Sequence, residues 1–252
     1  MTSARHHDWI VPEWPAPPNV KAFITTRNGG VSVGPHASFN LGLRAEEDPQ
    51  TVALNRALLQ KHLPQPPKWL RQVHGARVVD ADAFSGESDS PDADASVAIN
   101  AGTVCSIMIA DCLPVLFTNR AGTRVAAAHA GWRGLSGGII ANTVQALHNA
   151  GDDPADLLAY IGPGIGPSAF EVGADVYDAF TASDTEAKAA FVAHAPDKWL
   201  ADLFMLARRA LVRAGVTQVF GGGLCTYSDP ARFYSYRRDK ITGRMAAFIW
   251  RQ

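Results

Sequence analysis

The sequence predicts an α+β fold, with mixed β-sheets flanked by helices in a single layered domain over residues 1–252. Three observations predict it. Short runs rich in β-branched and other apolar residues recur along the chain and are typical of buried strands. Longer stretches with amphipathic spacing lie between them and are typical of helices. Several predicted strands follow one another directly, at 103–109, 113–119 and 124–129, which favours mixed rather than purely parallel sheets.

An extended arm is expected at residues 1–19. Four prolines lie between Pro12 and Pro18, and proline fixes φ and removes a backbone donor, so a helix is excluded there. Residues 20–26 alternate in the manner of a strand. Residues 27–30 and 38–42 are predicted loops, the first because paired glycines permit a positive φ.

Further strands are predicted where apolar runs end at turn residues, namely at 70–80, 103–109, 113–119, 124–129, 157–161, 216–220, 233–238 and 246–250. Helices are predicted at 48–62, 138–150, 173–180, 186–194 and 202–214. The helix at 202–214 is amphipathic and stops at Gly215. Residues 85–96 are acidic and polar and predict a surface loop.

Composition limits the partners and the compartment. A net charge of −1 gives no basic excess for nucleic acid, so small neutral or anionic molecules are the expected ligands. The longest apolar runs are far shorter than the roughly 20 residues of a membrane helix. Three cysteines do not form a disulfide framework, and the first residues do not resemble a signal peptide. We therefore expect a cytoplasmic monomer or small homo-oligomer.

Three side chains could together hold a metal ion. His74, Cys112 and His129 each lie at the end of a predicted buried strand beside glycine or proline, where a scaffold can present a rigid side chain to a cleft. One thiolate and two imidazoles suit zinc, and also copper. Three protein ligands leave a fourth position open, as in catalytic zinc sites. Spacing alone leaves the alternative open that each residue simply packs in the core.

Local sequence around the three residues carries a family resemblance. The segments RQVHGARVV (71–79), ADCLPVLF (110–117) and AAHAGWRGL (127–135) resemble the signature blocks of the YfiH family, also called the laccase-domain or polyphenol-oxidase-like family. Further matching blocks are TTRNGGVS (25–32), SFNLG (38–42), IGPGIGPSAFEVG (161–173), LCTYSD (224–229), FYSYRRD (233–239) and TGRMAAFI (242–249). The blocks occur in order over nearly the whole chain.

The resemblance implies a function and a set of site residues. The family's metal ligands correspond to His74, Cys112 and His129, which are also the expected catalytic residues. It implies phosphorolysis of purine nucleosides (adenosine, inosine and methylthioadenosine), with zinc as cofactor and phosphate as co-substrate, and adenosine deamination is also ascribed to the family. A role in editing peptidoglycan precursors is attached to some members.

Phosphorolysis needs groups that bind an anion and a nucleoside. Arg27, in the glycine loop at 27–30, and Arg237, in the predicted strand at 233–238, are candidates for phosphate. In a strand Arg237 and Arg238 would point to opposite faces, so at most one should reach the cleft. Asn40 and Gln72 are candidates for contact with the nucleoside, although Asn40 could instead serve its own turn.

Two alternatives use the same residues. A copper-dependent polyphenol oxidase of the multicopper type needs many histidines, whereas this chain has 8 and no His-x-His pair, so only a single copper in place of zinc is expected. A hydrolase with Cys112 as nucleophile and a histidine as base is the second alternative, acting in peptidoglycan precursor editing. Zinc deaminases place a glutamate beside a ligand, and none of the three predicted ligands has one here.

Overall fold

The computed structural model describes residues 7–86 and 89–252. Its strands are β1 (Val20–Ile24), β2 (Val78–Asp80), β3 (Ala95–Ala98), β4 (Cys105–Ile109), β5 (Leu113–Asn119), β6 (Val125–Ala130), β7 (Leu157–Ile161), β8 (Glu171–Val172), β9 (Phe191–Ala195), β10 (Lys198–Ala201), β11 (Gln218–Gly221) and β12 (Met245–Arg251). Its α-helices are α1 (Pro49–Gln60), α2 (Trp132–Ser136), α3 (Ile139–Asn149), α4 (Ala174–Thr181), α5 (Leu203–Arg213) and α6 (Tyr236–Asp239).

A six-stranded mixed sheet in the order β11-β7-β5-β6-β3-β2 lies at the centre. The β11–β7 and β3–β2 pairs are parallel and the other neighbours are antiparallel. Every residue of β5, β6 and β7 is buried, because these largely apolar segments are covered on both faces. One face packs against α3 and α5 through a core that includes Phe117, Ile140 and Leu211.

A three-stranded antiparallel sheet, β1-β12-β4, packs on the other face of the central sheet. Leu116 of β5 and Ile107 of β4 belong to the core between the two sheets. The outer face of the smaller sheet is covered by α1 and the loop at 38–42, through residues such as Phe39, Leu59 and Phe248. The layers are therefore helix, sheet, sheet and helix, which confirms the predicted α+β fold with flanked mixed sheets. The strands of a small third sheet, β8-β10-β9, pair with one another and not with the strands of the two larger sheets.

Most predicted elements are confirmed within a few residues. The predicted helices at 48–62, 138–150, 173–180 and 202–214 correspond to α1, α3, α4 and α5, and the predicted strands at 113–119 and 157–161 are β5 and β7. Asp48 caps α1 by accepting hydrogen bonds from the backbone of Gln50 and Thr51.

Three predicted elements are wrong. Residues 70–77 form a turn-rich segment, and only Val78–Asp80 is strand. The predicted helix at 186–194 is a 3₁₀ turn followed by β9, because Phe191–Ala195 pairs with β10 across a turn at Asp197. The predicted strand at 233–238 instead ends in α6, where the Ser235 hydroxyl accepts from the Arg238 backbone at 3.2 Å and caps the helix.

The predicted arm at 1–19 is described from residue 7, and residues 1–6 lie outside the described part. Its Ile10 forms an isolated antiparallel bridge to Ile24 of β1, and Trp9 stacks on Phe23 with ring centroids 4.8 Å apart. The described segment contains no helix and is anchored to the smaller sheet. In the described ranges, no helix has the length and apolar character needed to cross a membrane.

Candidate metal centre

His74, Cys112 and His129 meet at one end of the two stacked sheets. One ligand atom from each lies within 4.8 Å of the others, and in the described ranges no other set of three or more His, Cys, Asp and Glu does so. Cys112 immediately precedes β5, and His129 is paired with Pro114 across the β5–β6 ladder. Neighbouring antiparallel strands therefore bring two ligands together over a 17-residue separation.

The third candidate ligand, His74, is held by a carboxylate that the sequence analysis assigned to a surface loop. Asp94 is fully buried and accepts backbone hydrogen bonds from Val73 (3.1 Å), His74 (2.9 Å) and Gly75 (2.7 Å). His74 has a φ of +60°, a conformation that is uncommon for non-glycine residues. The three hydrogen bonds hold this turn against the start of β3.

The same carboxylate orients His129. Oδ1 of Asp94 lies 2.8 Å from Nδ1 of His129, and the His129 backbone donates to the Asp94 carbonyl at 2.7 Å. Because Nδ1 is engaged by the carboxylate, Nε2 is the atom of His129 available to a metal. Burial raises the pKa of Asp94, but hydrogen bonds from His129 and from the backbone outweigh it and leave the pKa below its usual value. The side chain is therefore a carboxylate.

Glycine at position 131 permits the close approach of two ligands. A Cβ atom at Gly131 would lie 2.7 Å from Sγ of Cys112 and 3.4 Å from Cδ2 of His74. A Cβ at Gly134, in α2, would lie 2.7 Å from the Gly75 carbonyl oxygen. The AGWRG segment thus contains glycines where α2 packs directly on the ligand-bearing turns.

The thiol and the buried imidazole polarise each other. Burial raises the pKa of the Cys112 thiol, but attraction to His129 and hydrogen bonds from both imidazoles outweigh it and bring the pKa to about 6. Burial lowers the pKa of His129, but the Cys112 sulfur and Asp94 reverse this and raise it to about 9. Without a metal, the pair is therefore a thiolate and an imidazolium near neutral pH.

This donor set fits a zinc ion with an open position. The thiolate and two imidazole nitrogens are ligands that zinc prefers, and a hydrogen bond like the one that His129 donates to Asp94 is the support that such sites commonly have. His129 is buried, Cys112 is partly exposed and His74 is exposed, so the three donors have one side open to a cleft. The arrangement suits a site with room for water or substrate.

The cleft has a volume of about 690 Å³, within the range of small-molecule sites. Of the four predicted substrate contacts, Gln72 and Arg237 line it together with the three ligands, whereas Arg27 and Asn40 do not. Asp111 is the one carboxylate among the described lining residues. Trp132 and Phe170 supply aromatic surface.

The guanidinium of Arg27 serves the loops outside the cleft. It donates from Nε to the Ala37 carbonyl at 2.9 Å and from Nη1 to the Pro230 carbonyl at 3.1 Å. It also lies over the Tyr234 ring, 4.7 Å from its centroid. The position of Arg27 outside the cleft lining therefore does not support the expected contact with phosphate.

Asn40 is fully buried and holds the backbone of two segments. Its Oδ1 accepts from the Gly42 backbone at 2.9 Å and from the Arg244 backbone at 2.8 Å, and its Nδ2 donates to Glu47 at 2.8 Å. Its amide thus faces its own turn and the segment that leads into β12. A direct contact with the nucleoside, as expected from the sequence, is not available to it in this arrangement.

Gln72 lines the cleft, but both ends of its amide are engaged by one residue of β4. Nε2 donates to the Met108 carbonyl at 2.9 Å, and Oε1 accepts from the Met108 backbone at 2.8 Å. Gln72 therefore fastens the His74 turn to the edge of the smaller sheet. Its position favours support of the ligand turn over contact with a base.

Asp111 joins three segments of the cleft wall. Its Oδ1 accepts from the Thr226 hydroxyl at 2.6 Å, its Oδ2 accepts from the Arg237 backbone at 2.7 Å, and its carbonyl accepts from Ile165 at 2.8 Å. Arg237 lies over the Phe170 ring and donates from Nη1 to the Glu171 carbonyl at 2.8 Å. The helical conformation of α6, rather than a strand, turns Arg237 to the cleft.

Two residues of the site were missed by the sequence analysis. Asp94 lies in an acidic segment whose composition indicates a loop, and only its position immediately before the apolar ASVA segment, 95–98, could have indicated burial. Arg244 lines the cleft and lies in the TGRMAAFI block, where it is the one charged residue. A lone charge at the start of a buried strand was the available signal.

Comparisons with known proteins agree with the blocks found in the sequence. Residues 21–252 match the family described as multi-copper polyphenol oxidoreductase laccase. The chain is 53% identical over 245 residues to a Pseudomonas aeruginosa protein named purine nucleoside phosphorylase, covering 97% of this chain and 98% of that protein. It is also 53% identical over 244 residues to the Escherichia coli purine nucleoside phosphorylase YfiH, covering 96% and 98%.

Solved structures show the same fold. A crystal structure of a Neisseria meningitidis protein superposes with a TM-score of 0.93 at 49% identity, over 97% of this chain and 99% of that one. The crystal structure of YlmD from Geobacillus stearothermophilus gives a TM-score of 0.92 at 33% identity, over 100% of this chain and 98% of that one.

Proposed function

The chain belongs to the family described as multi-copper polyphenol oxidoreductase laccase, which includes the YfiH proteins, and on this premise we propose that it is a zinc-dependent purine nucleoside phosphorylase. The observation that carries the proposal is the convergence of His74, Cys112 and His129 on one open cleft. The names of the relatives supply the substrate class and the reaction.

In this reaction the bond between C1′ of the ribose and N9 of the purine breaks, and a phosphate oxygen bonds to C1′. The purine leaves with the bonding electrons and takes up a proton, so the products are the free base and ribose 1-phosphate, or 5-methylthioribose 1-phosphate from methylthioadenosine. The site must therefore bind an anion beside the ribose and exclude most of the water. Adenosine, inosine and methylthioadenosine are the proposed nucleosides.

His74, Cys112 and His129 would hold the zinc. A bound zinc supplies Lewis acidity and, at neutral pH, activates water or polarises an oxygen of the substrate. The chain's own contribution is to keep the three ligands fixed, and Asp94 does so for the His74 turn and for His129. Copper could replace zinc on the same donors, since such ligands bind it at least as tightly.

The cleft wall suits an anion next to an apolar surface. Arg237 has a fixed backbone and one engaged nitrogen, which leaves other donors of its guanidinium for phosphate. Trp132 and Phe170 offer aromatic surface for the purine. Asp111 can still accept a hydrogen bond from a ribose hydroxyl, because each carboxylate oxygen has two acceptor positions.

Deamination of adenosine is the weaker candidate. It requires a group that carries a proton to the leaving amine, commonly a glutamate near the metal. Among the described lining residues, Asp111 is the one carboxylate, and both of its oxygens already accept hydrogen bonds. Glu171, in the IGPGIGPSAFEVG block, does not line the cleft, and its side chain lies 3.5 Å from His194.

The hydrolase alternative is favoured by one observation, the lowered pKa of Cys112 beside His129. A thiolate and an imidazolium are the reactive pair of cysteine hydrolases, whereas a zinc-bound thiolate is a poor free nucleophile. Metal content therefore decides between the two. For an oxidase of the multicopper type, the described residues offer one three-donor group rather than a cluster of metal sites.

The test is elemental analysis of untagged protein, followed by product analysis with adenosine in the presence and absence of phosphate. We expect about one zinc per chain and phosphate-dependent release of adenine with ribose 1-phosphate. Inosine as the product would show deamination instead, and turnover that needs neither zinc nor phosphate would favour the hydrolase.

The variant that tests the role of the metal is His129→Ala, which removes a proposed ligand that is buried and hydrogen-bonded to Asp94. We expect loss of both zinc and turnover. His148→Ala is the control, because this histidine lies at the end of α3 and contacts the Asp152 carbonyl outside the cleft. Full nucleoside cleavage by metal-free His129→Ala protein would contradict the proposal.

A further inference from the structure

The cleft carries much more positive charge than the chain as a whole. The net charge of the chain is −1, yet one carboxylate and six arginines are found among the described lining residues. The arginines are Arg44, Arg56, Arg71, Arg133, Arg237 and Arg244. Such a concentration of one sign in a concave site attracts an anion. In the phosphorolysis proposed above, that anion is inorganic phosphate. The six guanidinium groups differ in how free they are to bind it.

Two of these arginines are engaged by the protein. Arg56 donates from Nε and Nη2 to the Leu41 carbonyl at 3.0 and 2.8 Å and stacks on Trp69. Arg71 is exposed and forms a two-pronged ion pair with Asp92. The Arg56 guanidinium is therefore occupied by a backbone carbonyl, and the charge of Arg71 is neutralised by Asp92.

Arg44 and Arg133 are exposed at the cleft, and an exposed flexible side chain loses much entropy when it binds an ion. Arg133 lies over the ring of its neighbour Trp132. These two side chains are suited to attracting an anion rather than to fixing its position.

Arg237 keeps donors free for an anion, but its guanidinium is held by one hydrogen bond, from Nη1 to the Glu171 carbonyl. The guanidinium of Arg244 is held by two hydrogen bonds. Nη1 donates to the Thr242 carbonyl at 2.8 Å and to the Gly243 carbonyl at 3.0 Å. Within residues 7–86 and 89–252, Nε and Nη2 have no hydrogen-bond partner. Burial lowers the pKa of Arg244, and Cys112, Asp111 and Tyr236 act in the opposite direction, so the charge is poorly solvated.

The backbone around Arg244 is built to present this side chain. Oδ1 of Asn40 accepts from the Arg244 backbone at 2.8 Å, and the Arg244 carbonyl accepts from Leu41 at 3.0 Å. A Cβ at Gly42 would lie 2.6 Å from Cγ of Arg244, so glycine leaves the space in which the arginine stem lies. The SFNLG and TGRM segments, about 200 residues apart, therefore form one structural unit that holds the Arg244 guanidinium in place.

We propose that Arg244 is a substrate-binding residue that fixes inorganic phosphate through Nε and Nη2, in the cleft that Cys112 also lines. Two adjacent N–H groups of one guanidinium match two oxygens of a phosphate. Asn40 and Gly42 act through Arg244 as positioning residues. The proposal rests on the proposed phosphorolysis, and the following experiment separates the two.

The experiment compares zinc-loaded wild-type protein with Arg244→Ala and Arg244→Lys, using inosine and orthophosphate. For Arg244→Ala we expect the KM for phosphate to rise about 10- to 100-fold, since a charge-assisted contact is lost, while the KM for inosine changes less than about threefold. Lysine keeps the charge but not the paired donors, so the rise should be intermediate. Calorimetric titration with phosphate alone should show the same order of affinities.

Arg71→Gln is the matched control, because it removes the same charge from the same cleft at a guanidinium that is already paired with Asp92. Its KM for phosphate should stay within about twofold of wild type. Zinc content and the thermal unfolding midpoint are measured for every variant, and free guanidinium ions should partly restore Arg244→Ala. If Arg244→Ala is too unstable to assay, Arg244→Lys and the titration decide.

The outcomes separate the two proposals. Wild-type turnover that does not depend on phosphate refutes the proposed function. Phosphate-dependent wild-type turnover with an unchanged KM for phosphate in Arg244→Ala and Arg244→Lys refutes the role of Arg244 alone. An equal rise in the KM for phosphate in Arg71→Gln also overturns it, because the effect would then reflect the general charge of the cleft.

Discussion

Oδ1 of Asp94 lies 2.8 Å from Nδ1 of His129, and the same carboxylate receives three backbone N–H groups from the turn that carries His74. One buried side chain thus determines the orientation of two predicted ligands from separate parts of the chain. The geometry of the centre depends on this carboxylate as much as on the ligands.

Asp94→Asn should weaken zinc binding without removing any ligand. The amide cannot accept from His129 and from the turn in the same way, so we expect a loss of zinc affinity of about 10- to 100-fold. Competition with a chromophoric chelator measures it. Asp92→Asn is the control, since Asp92 is an exposed neighbour paired with Arg71, and an equal loss in that variant would refute the role of Asp94.

The pH dependence of alkylation should report the Cys112 thiolate in metal-free protein. Its pKa of about 6 means that the neutral thiol dominates below that pH and the reactive thiolate above it. The alkylation rate at Cys112, followed by mass spectrometry, should therefore rise through about pH 6 and then level off. Burial raises the pKa of Cys105 to about 12, so it serves as an internal unreactive reference.

His129→Gln should shift this alkylation profile to higher pH, because attraction to His129 is the largest of the contributions that lower the Cys112 pKa. Zinc should suppress alkylation in wild-type protein. An unchanged midpoint in the variant would contradict the assigned pairing of thiolate and imidazolium.

Gly131→Ala should prevent normal metal binding while the fold persists. The added methyl group would lie 2.7 Å from Sγ of Cys112, so the thiol must move. We expect substoichiometric zinc by elemental analysis. Gly75→Ala is a matched control next to a ligand, because its Cβ would meet no atom closer than 3.6 Å and it should keep its zinc.

Gln72→Ala should affect the metal rather than the nucleoside. Removing both hydrogen bonds to Met108 frees the His74 turn from β4, at a cost of about 1–3 kcal/mol in unfolding free energy. We expect weaker zinc binding and a lower kcat at subsaturating zinc, with the KM for inosine nearly unchanged when zinc is in excess. A selective rise in that KM would instead restore Gln72 as a substrate contact.

Much of the fold could be predicted from local pattern. The segments of β5, β6 and β7 are mostly apolar and contain no Asp, Glu, Lys or Arg, which predicts burial, and α5 shows a clear amphipathic repeat. The predictions were wrong where long-range pairing decides the conformation. Residues 191–195 are largely exposed and become a strand only because β10 lies beside them. Phe233–Ser235 is buried by distant segments, and a serine cap then starts α6.

The three candidate ligands could be selected from residue type and neighbouring glycines, and the structure brings them together, whereas their supports could not be predicted. Asp94 looks like the other acidic residues of its segment, and its burial depends on partners up to 35 residues away. Asn40 and Gln72 were recognised as important residues, but their amides face backbone atoms that the sequence does not place. Arg244 acquires its position only through the fold of the SFNLG segment.

The three predicted ligands lie on segments that become neighbours only when β5, β6 and the start of β3 come together in the central sheet. A nascent or unfolded chain therefore has no preformed metal site, unlike zinc-finger motifs, whose ligands are close in sequence. Metal binding should therefore follow folding. A chelator should yield a metal-free protein that still unfolds cooperatively and that binds the metal again when it is added back.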